Sequence, residues 1–181
     1  MKKIIIATSI VLLLAGCGSS NTDQAAELST QAAQHYKDGD LQSAKAVYEK
    51  SLEVKEDPAV RQKLTTTEGE ITALATVRQY LSDLSAANQE LKQNIDTNAL
   101  YEAAVKIDTI LNELPEVPVP DYSGITVYVH RLKEDNDFFL LKTDVELFTL
   151  SAQAGLEVDA MKLNKSVQTF LDAHSKISNY K

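Results

Sequence analysis

Apolar residues recur at intervals of three and four along most of the chain, the spacing of amphipathic helices. Ala25, Leu28, Ala32 and Tyr36 fall on one face of a helix expected over Asp23–Asp38. Gly39 follows as a C′ glycine and Asp40 as the next N-cap, which predicts a second helix from Asp40 to Val54 with Leu41, Ala44, Val47 or Tyr48, and Leu52 inward. Two such helices joined by so short a turn fold back as an antiparallel hairpin. Asp57-Pro58 reads as N-cap and first position of a third helix. Thr65, Thr66, Thr67 and Gly69 are poor helix formers and predict a kink or break near Gly69. Beyond it Leu74, Val77, Leu81, Leu84, Leu91 and Ile95 keep a heptad spacing broken only by Asn88. That seam suits either the core of the chain or the face of a partner helix or second copy.

A further helix is expected over residues 98–115. Pro115, Pro118 and Pro120 lie within six residues and mark 115–124 as a linker of extended, polyproline character. The next stretch, "ITVYVHRL" (125–132), alternates enough to pass for a strand, but Ile125, Val129, Leu132 and Phe139 also fit helical spacing. Helix is the expectation, continuing through Leu140, Val145, Phe148 and Ala152 to Gly155, with a bend around 135–137. A last helix over Asp159–Ser178 places Leu163, Val167, Phe170, Leu171, His174 and Ile177 on one face.

Composition agrees with helices. The chain has only 6 Gly and 4 Pro in 181 residues, too few to punctuate many short strands. The expected fold is all-α: a bundle of antiparallel helices opened by the N-terminal hairpin and continued by long, partly heptad-patterned helices. The body is divided into 24–114, the 115–124 linker, and a C-terminal helical pair, 125–181, packed on the same body. With a single Cys there is no disulfide, so an apolar core must hold the fold. About 150 residues suffice, since a domain of that size buries nearly 70% of its unfolded surface.

The N-terminus has a different plan. Met1-Lys2-Lys3 precedes an apolar run from Ile4 to Ala15, interrupted only by Thr8 and Ser9, and then Gly16 and Cys17. A basic start, a short apolar stretch and a small-residue cleavage site form an export signal. A dozen apolar residues fall short of the roughly 20 of a membrane span. Leu14-Ala15-Gly16-Cys17 resembles the lipobox of bacterial lipoproteins. The resemblance implies cleavage after residue 16 and a lipid on the Cys17 sulfur. It also implies anchoring at the extracytoplasmic face of the cell membrane, or at the outer membrane in a two-membrane cell because Gly18 is not the aspartate associated with inner-membrane retention. Residues 17–23, lipidated Cys17 and a flexible polar tether, are expected to let the body stand clear of the lipid headgroups. Losing Lys2 and Lys3 takes the net charge from −8 to about −10, which argues against nucleic acid as a ligand.

The hairpin carries a second resemblance. Ala32, Tyr36, Gly39, Ala44, Tyr48, Ser51 and Leu52 are similar to the packing positions of one tetratricopeptide repeat: small residues at the close crossing, aromatics beside it, a glycine turn between. Gln31, His35 and Glu56 depart from the pattern. Residues 98–115 resemble the second helix of a repeat more weakly, with Ile110 where a small residue is usual. A repeat of this kind implies a protein-binding surface.

Chemistry is sparse. His35, His130 and His174 lie on three separate helices without zinc-site spacing, and His130 with Glu134 makes at most a surface pair. Glu134–Asp137 lacks the glycine and terminal glutamate of a calcium loop and reads as a solvated helix edge. No phosphate loop, nucleophile elbow or Cys–His pair is present, so no catalytic residue, metal or cofactor is expected beyond the lipid on Cys17. Three functions fit: a membrane-anchored scaffold or adaptor for a protein or peptide partner; a self-associating coiled-coil lipoprotein; or a ligand binder or enzyme with a site among Phe138, Phe139, Phe148 and Phe170.

Overall fold

The computed structural model describes residues 20–113, 132 and 134–179. These form helices and no strand: α1 Asn21–Lys37, α2 Leu41–Val54, α3 Pro58–Gln93, α4 Thr97–Asn112, α5 Asn136–Gln153, α6 Ala160–Ala173, and a 3-10 helix over Ser175–Asn179. The 115–124 linker and residues 125–131 lie outside the described residues.

Each α-helix starts on an oxygen that accepts from its own first turn, which satisfies backbone donors the helix leaves open. Asp40, Asp57, Asp96, Asp135 and Asp159 serve α2 to α6. Ser20 serves α1 in a capping box with Asp23, the Ser20 hydroxyl and backbone N–H both donating to that carboxylate. Residues 21–23, expected in the tether, therefore belong to α1. Asp135 starts α5 as a separate helix, and Gly155, at φ +68°, ends it.

The break expected at Gly69 does not occur. α3 runs unbroken for 36 residues, about 54 Å. Thr65, Thr67, Thr72 and Thr76 donate their hydroxyls to carbonyls four residues back and so leave the helix ladder intact. Thr67, Glu70, Ala73 and Leu74 are buried on one face. Packing thus outweighs local propensity.

α1 and α2 run antiparallel about the Gly39 turn, where φ is +74°. α2 packs on α3, α3 on α4 and α6, and α5 on α4 and α6. Ala32, Ala44, Tyr48, Val60 and Leu64 form a small core beneath the hairpin. A larger core joins α3 to α6 around Leu84, Ile107, Val145 and Phe170, and takes in Leu132. Tyr36 packs against both. Asn88, the polar interruption of the seam, is buried and accepts from Asn164 of α6 at 2.7 Å. Arg78 donates to the Ile177 carbonyl at 3.3 Å, tying the C-terminal turn to α3.

Candidate functional site

Of the seven residues singled out in the hairpin, Gly39 forms the turn and the other six lie along the contact of α1 and α2. Ala32 and Ala44 are fully buried, Tyr48 and Ser51 nearly so, and Tyr36 and Leu52 are half-buried. Ser51 donates its hydroxyl to the Ala25 carbonyl at 2.8 Å, a bond between the helices that a larger side chain would block. The outward positions of α1, among them Gln24, Glu27, Gln31 and Gln34, are polar. The hairpin contributes no large exposed apolar side chain.

Four seam residues, Leu74, Val77, Leu84 and Leu91, are buried inside the chain and Leu81 is half-buried. Ile95 departs from the expectation: it stands beyond the end of α3, between Asn94 at the C-cap and Asp96 at the next N-cap, 98% exposed. The aromatic cluster is also different from that expected. Phe138, Phe148 and Phe170 are core residues, with Phe138 and Phe170 ring centroids 6.1 Å apart, whereas Phe139 points outward at 67% exposure.

His174 caps α6 rather than continuing it, so the helix expected to reach Ser178 stops at Ala173. Its ring is buried, packs tilted against Phe170 with centroids 4.4 Å apart and stands 3.8 Å from the Asp135 carboxylate. Burial lowers its pKa, against the pull of Asp135 and Asp137. Among the described residues no group of His, Cys, Asp and Glu is placed to hold a metal ion. His130 lies outside them.

The outstanding surface is on α5, and it was not singled out from the sequence. Phe138, Leu141, Val145 and Phe148 face the core. Phe139, Leu140, Leu147 and Leu150 are all more than half exposed. At 100° per residue those four, with Thr143 between them, fall on the face opposite the core. Leu156 and Met161 follow just after, so among the described residues six of the eight large exposed apolar side chains lie between 139 and 161. Singly scattered exposed apolar residues are ordinary, and clustering of this kind is what sets the α5 surface apart. The signal was the run Phe138-Phe139-Leu140-Leu141: four consecutive apolar residues on a helix cannot all face one core.

The stripe borders a pocket of about 140 Å³ between α5 and α6, which includes Asp144, Leu147, Ser151, Glu157, Asp159 and Lys162. Small-molecule sites usually need about 300 Å³ or more, so this one suits a single side chain. Asp144 accepts from Ser166 at 2.5 Å and pairs with Lys162 at 2.9 Å. Burial alone would raise its pKa, but these bonds hold it below the usual carboxylate value. Asp159 caps α6 and Glu157 is exposed, so the rim is acidic and its one cation is engaged. A second, more open groove between α3 and α4 is edged by Gln79, Asp83 and Glu113. The Tyr80 hydroxyl behind it is sealed from solvent.

Residues 1–17 match the family model of the prokaryotic membrane lipoprotein lipid attachment site. The chain carries a lipoprotein attachment site. The match supports a cleaved signal, a lipid on Cys17 and a lipid-anchored membrane lipoprotein. Neither the curated proteins nor the solved structures searched contain a match to the chain. No described helix is long and apolar enough to cross a membrane. Cys17 precedes the capping Ser20 by three residues, a reach of at most about 11 Å. Because α1 already begins at Asn21, residues 21–23 of the expected 17–23 tether are helical.

Proposed function

We propose that the chain is an extracytoplasmic helical scaffold that holds a protein partner at the cell envelope, acting by binding and not by catalysis. The observation that carries this reading is the exposed apolar face of α5. Lipidation supplies the membrane attachment, and two or more acyl chains anchor a protein stably where one does so only marginally. The outer membrane is the proposed site in a two-membrane cell. The antiparallel packing and the small residues at the α1–α2 crossing support a bundle opened by a tetratricopeptide-like hairpin. In this reading the hairpin stiffens the membrane-proximal end, and the partner surface is on α5. The inward placement of Leu74, Val77, Leu84 and Leu91 weighs against a self-associating coiled coil built on that seam.

Crosslinking in intact cells tests the proposal. A photoreactive residue is placed at Leu147 or Leu150 of α5, with Gln31 of α1 as comparison. The expected result is one heterologous protein captured at both α5 positions and not at Gln31. Self-crosslinks alone, or no protein at any position, would overturn it.

A further inference from the structure

We propose that the α5 stripe docks a basic amphipathic helix of another protein, with a lysine or arginine of that helix seated in the acidic pocket between α5 and α6. This rests on the scaffold reading and names the chemistry of its partner. Phe139 to Leu150 spans eleven steps of helix, about 16 Å, or three turns. An apolar stripe of that length, interrupted by Thr143, matches a partner helix whose own apolar residues recur at three and four. Leu147 belongs both to the ridge and to the pocket wall, so an occupant lying on the ridge passes the pocket mouth.

Charge selects among occupants. Glu157 and Asp159 are exposed on the rim, Glu146 is exposed beside the ridge, and Lys162 is engaged with Asp144. Among the described residues Glu146 and Glu157 have no ion-pair partner. A second copy would bring the same carboxylates against one another, which specificity by repulsion disfavours. An anionic bilayer would meet the same repulsion from a chain of net charge about −10. A cationic helix meets attraction from the rim and burial from the ridge.

The test uses the full lipidated chain in nanodiscs of phosphatidylcholine, with empty discs as control. The probe is a fluorescent leucine–lysine amphipathic peptide of about five turns, and its twin with glutamate in place of lysine. Anisotropy should show binding of the lysine peptide beyond that to empty discs, and little binding of the glutamate twin. Leu147→Glu and Leu150→Glu should each weaken it about tenfold, and Glu157→Lys several-fold with a smaller salt dependence. Both leucines are exposed, so circular dichroism should show unchanged helix. Equal binding of the two peptides, binding equal to empty discs, or indifference to Leu147→Glu overturns the inference. If it falls while Leu147 still captures a protein in cells, the scaffold survives with a different partner; if capture fails too, both fall.

Discussion

The Tyr36 hydroxyl of α1 donates to the carboxyl of Glu70 in α3 across 2.5 Å, where the two apolar cores meet. Glu70 is 2% exposed. Burial raises its pKa, opposed by the Tyr36 bond. The folded chain therefore keeps this proton to a higher pH than the unfolded chain does.

Stability should depend on pH through Glu70. Below the ordinary glutamate range both states are protonated and the contribution is at its maximum. As pH rises the unfolded chain ionises first, so stability falls until the folded carboxyl ionises too. Glu70→Gln should flatten this part of the profile and raise Tm at neutral pH. Glu70→Ala should cost about 1–3 kcal/mol by leaving Tyr36 without this acceptor. Denaturant melts across pH read both, and a wild-type stability rising through this window would contradict the assignment.

Ala44→Glu should unfold the hairpin. Ala44 has no exposed surface and its site offers no room or partner for a charge, so a loss of several kcal/mol is expected. Loss of helix signal in circular dichroism checks it; a native-like melt would mean the crossing is looser than described.

Gly155→Ala isolates backbone strain. A Cβ there meets nothing within 4 Å, so the cost comes from φ at +68° alone. About 1 kcal/mol should be lost, read as a shift in urea midpoint without a change in m.

The stripe should be dispensable for folding. Leu147→Glu and Leu150→Glu remove no core contact and should change stability by about 0.5 kcal/mol or less. Val145→Glu, two residues before Leu147 but fully buried, should be severely destabilising. Thermal melts of the three variants separate surface from core on one helix.

Much of the helical order was legible because its boundaries are chemical. Gly39, Asp40 and Asp57-Pro58 each act at a helix end that no distant contact overrides. Ser20 and Asp23 were hidden inside a stretch with tether composition, since a capping box depends on two side chains meeting. Gly69 misled because the packing that keeps α3 continuous comes from other helices. Ile95 fitted the seam by spacing, but the Asn94 and Asp96 caps end the helix around it. On α5 apolar residues lie on both faces, so periodicity gave Phe138 and Phe139 the same weight. Only the positions of α4 and α6 show that one is core and the other surface.

The most direct measurement combines anchor and partner: membrane sedimentation of the product crosslinked at Leu147, in chains with Cys17 intact or replaced by Ser. With Cys17 the captured protein should sediment with membranes, its crosslinked segment a basic amphipathic helix. With Cys17→Ser the same product should form and remain soluble. A product that stays on the membrane without Cys17, or that forms only between copies of this chain, would contradict a lipid-anchored scaffold with its partner on α5.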